Sequence, residues 1–172
     1  MSVAFAGIFA FKTTTHNNAA TAHKVVAVAT TVSNKIDSAD TMSDSAFYSA
    51  ILKGVDAKET VEKIKFLKAW RQGEGGAARN NPFNTTKDVP GTADTKYNSV
   101  GVRNYPDRQT GLKATIATLQ LPYYRDIVAL LRKDNVTAHQ LSRCASLRKW
   151  GTGNRVTKVL ALGNVNPPAI MV

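Results

Sequence analysis

Apolar residues crowd the stretch from Ala57 to Trp70, where Val61, Ile64, Phe66, Leu67 and Trp70 stand among good helix formers. The pattern predicts a helix. Its apolar positions do not fall into one narrow stripe, so the helix is expected to be covered on more than one side, with Lys63, Lys65 and Lys68 at its margins. Such a helix belongs at the centre of a domain, and Gly73, Gly75 and Gly76 mark where it stops. Between Ala77 and Pro106 the composition changes to Asn, Thr, Gly, Pro and Asp, with a strand-like run from Tyr97 to Val102, which predicts a loop-rich lobe holding a small sheet. Helical spacing resumes with Leu112, Ile116 and Leu119 behind Asp107 as N-cap. After Pro122 it continues through Tyr124, Ile127, Val128 and Leu131. Thr137 and Gln140 form a capping box for a helix expected to reach Trp150, where Gly151 ends it. A short helix near Arg155 to Leu162 and a Pro-containing tail complete the chain.

These elements make an α+β protein, mainly α, in which a central helix faces a small polar β lobe across a cleft. Residues 1–45 are rich in Ala, Thr, Val and Ser and hold few large core residues after Phe11. They read as an N-terminal arm, serving either as a tether to partner proteins or, through a helix from Ala19 to Ile36, as packing on the main domain of residues 46–172. A length of 172 residues leaves room for one ordinary domain and an appendage.

Composition narrows the function. The hydrophobic fraction of 43% and charged fraction of 20% are those of a folded soluble chain. Lys+Arg outnumber Asp+Glu by 23 to 12, and the net charge of +11 attracts polyanions. The basic residues are scattered rather than interleaved with stacking aromatics, so specific nucleic-acid binding is not expected. Cys144 is the only cysteine and sits among Leu141, Ala145 and Leu147, where it reads as a core residue. Met1 to Phe11 is apolar but lacks a positive n-region and is too short to span a bilayer; neither a signal peptide nor a transmembrane segment is expected. His16, His23 and His139 have no metal-ligand spacing, and Gly73 to Gly76 lacks the Lys-Ser/Thr of a phosphate loop, so no metal or cofactor is expected.

Of the glutamates Glu59, Glu62 and Glu74, only Glu74 lies where the apolar helix meets the polar lobe. A glutamic acid beside apolar groups is desolvated, keeps its proton to higher pH and can give it to a glycosidic oxygen. Trp70, one turn back, supplies such a wall. In the lobe, Asn81, Asn84, Thr85, Tyr97, Asn98 and Tyr105 are the candidate substrate-binding residues, because amides, hydroxyls and aromatic faces bind sugars. The same residue types serve turns, where they bond local backbone, and Asn98 and Asn104 flanking the strand-like run fit that use equally well.

The runs Ala69-Trp70-Arg71-Gln72-Gly73-Glu74-Gly75-Gly76, Ala78-Arg79-Asn80-Asn81-Pro82-Phe83-Asn84-Thr85-Thr86, Tyr97-Asn98-Ser99-Val100-Gly101-Val102 and Asn104-Tyr105-Pro106, followed by a helix containing Gly111, resemble a lysozyme-like domain common in bacteriophage lysins and virion-associated peptidoglycan-degrading proteins. Trp150-Gly151-Thr152 is similar to that domain's closing segment. The likeness covers about Lys65 to Arg132 and the Trp150 region; nothing of it extends to residues 1–56, and Phe83 stands where leucine is expected. It implies that Glu74 holds the position of the catalytic acid and that Asn84, Thr85, Tyr97 and Tyr105 fall in the facing lobe. It also implies cleavage of the peptidoglycan glycan strand, by a muramidase or a lytic transglycosylase, in phage entry or host lysis. The chain would act from the virion, or as an endolysin leaving the host cytoplasm for the cell wall through a holin-made hole, with residues 1–45 contacting other virion proteins. The alternative is a non-catalytic virion structural protein whose lysozyme-like part binds the wall. Glycosidases pair two carboxyls about 5 Å or 6.5–9.5 Å apart, and Asp94, ahead of Asp88, is the candidate for the second. Without one, Glu74 serves in succession as acid and base.

Overall fold

The computed structural model describes residues 42–163. The arm, apart from residues 42–45, and the tail from residue 164 lie outside them, so the roles expected of the arm concern residues that are not described. Among the described residues seven α-helices follow one another: α1 Asp44–Gly54, α2 Val61–Glu74, α3 Arg108–Leu119, α4 Arg125–Leu131, α5 Ala138–Ser142, α6 Ala145–Trp150 and α7 Gly153–Ala161. A 3-10 turn at Pro122–Tyr124 leads into α4. Between α2 and α3, strands β1 (Thr95–Lys96) and β2 (Arg103–Asn104) pair antiparallel, Thr95 opposite Asn104 and Lys96 opposite Arg103. The described chain is thus mainly helical with a small sheet.

Helix α1 is a finding that the sequence reading did not include. Ser43 caps it by accepting from the Ala46 N–H at 3.1 Å. One turn apart, Phe47 and Ile51, and likewise Tyr48 and Leu52, then point into the core. Asp44 accepts from Arg108 on α3 at 2.6 Å and pairs with Arg71 on α2 at 3.2 Å, so α1 is clamped to both.

Helix α2 begins four residues later than expected, because Thr60 accepts from the Lys63 N–H and fixes the first turn at Val61. It ends at Glu74, where Gly75 takes a left-handed φ of 70°. The central position read from its pattern holds: α1, α5 and α7 all pack on it. Lys63, expected at the margin, is instead fully buried with its ammonium donating to the Lys58 carbonyl at 2.8 Å, whereas Val61 faces solvent. Phe83, from the polar lobe, enters the core and meets Trp70 edge-on at 5.1 Å and Phe47 at 6.1 Å.

Two expected elements take another form. The helix predicted from Thr137 to Trp150 is divided at Arg143 and Cys144, for Asp126 of α4 accepts from the Ser146 N–H at 3.0 Å and starts a new helix there. The capping box and the end at Gly151 are as read. The strand-like run Tyr97 to Val102 forms the turn between β1 and β2. Asn98 captures the Val102 N–H at 3.0 Å, and Gly101 adopts a φ of 90° that other residues rarely reach. Among the described residues no helix is long and apolar enough to cross a membrane.

Candidate active site

Glu74 is the last residue of α2, 9% exposed, with its side chain held by groups from three parts of the chain. Trp70 Nε1 donates to Oε1 at 2.9 Å from one turn back in the same helix. Asn84 Nδ2 donates to Oε2 at 3.3 Å and to the Glu74 carbonyl at 2.9 Å, which docks the lobe against the helix end. Asn84 reaches this pose through a left-handed φ of 51°, which asparagine tolerates better than most residues. Thr152, between α6 and α7, is buried, and its hydroxyl, otherwise without a partner, faces the carboxyl.

Burial pushes the Glu74 carboxyl above its ordinary value of 4.5, and this outweighs what opposes it: the Thr152, Trp70 and Asn84 donors and the charge of Arg155 on α7. The group therefore keeps its proton longer than an exposed glutamate while remaining oriented. A carboxylic acid in that condition can protonate a leaving oxygen and afterwards, ionised, is stabilised by the same donors.

Of the residues selected from the sequence, Glu74, Trp70 and Asn84 come together in this way. Three others are spent on the lobe itself. Asn81 is fully buried, donating to the Thr85 and Arg103 carbonyls at 2.8 and 2.7 Å and accepting from the Thr85 N–H. Thr85 pairs its hydroxyl with Thr118 of α3 at 2.7 Å. Tyr105 is buried and donates its hydroxyl to the Lys87 carbonyl; burial raises that hydroxyl well above its ordinary value. None of the three has a side chain free for a ligand. Tyr97 and Asn98 lie on the β1–β2 turn, Tyr97 45% exposed and Asn98 bonded to the turn backbone, outside the group that touches Glu74. Asn104 likewise accepts from the Arg79 N–H at 2.8 Å.

Asp94, the candidate second carboxylate, is buried against Arg103 at 3.3 Å, while Asp88 pairs with the same guanidinium at 2.8 Å. Both acids are committed to holding β2. Among the described residues no group of three or more His, Cys, Asp or Glu side chains gathers to hold a metal.

The sequence reading did not select Thr152, Arg155, Trp150 or Tyr124 for the site. Trp150 meets Trp70 edge-on at 4.9 Å and donates to the Phe83 carbonyl at 2.9 Å, and Tyr124 packs on Trp150 at 4.9 Å. Tyr124 lies close enough for the Glu74 charge to contribute to raising its hydroxyl, after burial and the charge of Tyr123. The one signal for them in the sequence is the likeness of Trp150-Gly151-Thr152 to a closing segment, which gives these residues neither a place at the site nor a role. Set against known protein families, curated proteins and solved structures, the chain matches none.

Proposed function

We propose that this protein cleaves the glycan strand of bacterial peptidoglycan, with Glu74 as the proton-donating acid of a lysozyme-like domain. The observation that carries the reading is the buried Glu74 carboxyl, held above its ordinary value by desolvation yet aimed by Trp70 and Asn84. It stands at a helix end against a polar lobe, and the sequence likeness to phage wall-degrading domains names the polymer. The net charge of +11 suits an anionic wall. Action from a virion, or on release from the host cytoplasm, accords with the same likeness.

The pairing of Asp94 and Asp88 with Arg103 favours the single-acid route. Glu74 gives its proton to the glycosidic oxygen as the bond to the anomeric carbon breaks. A hydroxyl of the same sugar then closes on that carbon, and the Glu74 carboxylate takes up the hydroxyl's proton, which restores the acid. Mass spectrometry of purified peptidoglycan after incubation with the protein tests this directly. Anhydro ends are expected; reducing ends would replace this route with hydrolysis, and an unaltered polymer would leave the wall-binding virion component as the reading.

A further inference from the structure

Four aromatic rings run outward from the carboxyl. Trp70, which donates to Glu74, meets Trp150 at 4.9 Å between ring centres; Trp150 meets Tyr124 at 4.9 Å, and Tyr124 meets Tyr123 at 4.7 Å. The inner members are covered, but Tyr123 is 51% exposed and lines a hollow of about 460 Å³ with Pro122, Arg125, Asp126 and Lys149. Proline and tyrosine at its wall give an apolar ledge. Arg125 and Lys149 are exposed, and neither forms an ion pair among the described residues.

Asp126, the acid in this lining, is turned to other work. Its carboxylate accepts from the Ser146 and Ile127 N–H groups and from the Cys144 thiol, each at 3.0 Å. Burial opposes its ionisation, but these donors outweigh burial and hold it below the ordinary aspartate range. The hollow is thus faced by an aromatic ring, by the Asp126 carboxylate with both oxygens already engaged, and by two cations without ion-pair partners among the described residues, so positive charge is in excess there.

We propose that this hollow is a sugar subsite, in which Tyr123 lies against the C–H face of the ring and Arg125 and Lys149 bind a carboxylate carried by that sugar. This rests on the glycan reading above and adds to it a selection for acid-bearing over neutral strands. Peptidoglycan alternates a neutral amino sugar with one that bears a lactyl acid, to which the stem peptide is joined as an amide; a peptide-free residue offers the lactyl carboxylate, and a peptide-bearing one offers the carboxylates of its peptide instead. Aromatic faces hold sugar C–H surfaces without regard to charge, while charge-assisted bonds from guanidinium and ammonium choose the anion.

The test uses the full chain carrying Glu74→Gln, so that ligand is not consumed, and calorimetric titration with three tetrasaccharides: neutral chitotetraose, a peptide-free strand with lactyl carboxylates, and a peptide-bearing strand. Acidic strands should bind more tightly than chitotetraose. Adding Arg125→Gln and Lys149→Gln should weaken the acidic strands by about 10- to 100-fold, the size of a lost bond to a charged group, and leave chitotetraose unchanged. Loss confined to the peptide-bearing strand assigns the carboxylate to the peptide, loss confined to the peptide-free strand assigns it to the lactyl group, and loss with both shows that the two cations accept either. Tyr123→Ala should weaken all three. Equal affinity for neutral and acidic strands, a preference that survives the double substitution, or indifference to Tyr123→Ala overturns the subsite while the glycan reading stands. Failure of every strand to bind, together with intact peptidoglycan after treatment with the unsubstituted protein, removes both.

Discussion

Trp70 stands one helical turn before Glu74, and its indole nitrogen lies 2.9 Å from Oε1, so the ring that helps to desolvate the acid also donates to it. The two effects oppose each other. Replacing Trp70 by Phe keeps a ring beside Phe66 and Phe83 but removes the donor that lowers the carboxyl. Glu74 should then hold its proton to still higher pH, and the alkaline limb of the cleavage profile should move upward. Stability should fall by about 1–3 kcal/mol, since a buried acceptor loses its partner. A profile left in place in the Trp70→Phe protein would show that the bond does not tune the acid.

Glu74 itself should give the protein a pH signature. Because its folded value lies above 4.5, the folded state keeps a proton that the unfolded chain releases first. The stability from this group is fully present below about pH 4.5 and is lost as pH rises through the raised folded value. Glu74→Gln cannot ionise, so the melting temperature of the unsubstituted protein should fall relative to that of the variant over this window. Cleavage by the variant should be lower by about 10²–10⁴-fold. Melting curves that stay parallel from about pH 4 to 8 would argue for an unshifted, solvated glutamate.

Gly111 on α3 leaves room for the lobe. A Cβ there would overlap the Asn80 carbonyl and lie 3.3 Å from the Tyr105 ring, and Asn80 is itself fixed with a φ of 57°. Gly111→Ala should therefore cost about 1–3 kcal/mol or more, read as a lower urea midpoint, because neither backbone can retreat without breaking the lobe's contacts. An unchanged midpoint would mean that the lobe moves freely against α3.

Truncation separates the described core from what precedes it. A chain beginning at Met42 keeps Ser43 as cap and all of α1, and it should fold and retain cleavage. A chain beginning at Ala57 loses Phe47, Tyr48, Ile51, Leu52 and Val55, all buried. At roughly 1.5–3 kcal/mol each, their loss approaches the whole stability of a small domain, about 5–15 kcal/mol, and this shorter chain should not fold. Thermal melts of both fragments decide the matter; an insoluble Met42 fragment would assign the first 41 residues to the fold.

Sequence patterns revealed the parts of this structure that repeat locally. The apolar spacing around Phe66 and Trp70, the Asp107 cap and the Thr137–Gln140 box are each set by residues within one or two turns, and each is found where the pattern put it. Helix α1 was legible in the same terms, through Ser43 and the pairs Phe47/Ile51 and Tyr48/Leu52, but it adjoins a stretch of small residues that obscures its start. The split between α5 and α6 was not legible, because it is made by Asp126 from another helix, 20 residues away along the chain. Strands of two residues are too short to show a period. For the site, position at a junction singled out Glu74. Asn81 and Asn84 looked alike in sequence, and only the fold shows one bonded to main-chain groups of the lobe and the other to the acid.

The amides that build the lobe bond to main-chain atoms. Asn80 donates to the Tyr105 and Pro106 carbonyls, Asn81 to those of Thr85 and Arg103, while Asn98 and Asn104 accept from the N–H groups of Val102 and Arg79. Every residue offers a backbone carbonyl, and every residue but proline an N–H. The outward side chains on this scaffold are consequently released from the duty of maintaining it, and exposed positions such as Lys96, Tyr97 and Val100 are free to be exchanged. The asparagines form a fixed frame, within which variation can be concentrated on the exposed turn without a penalty to the architecture beneath it.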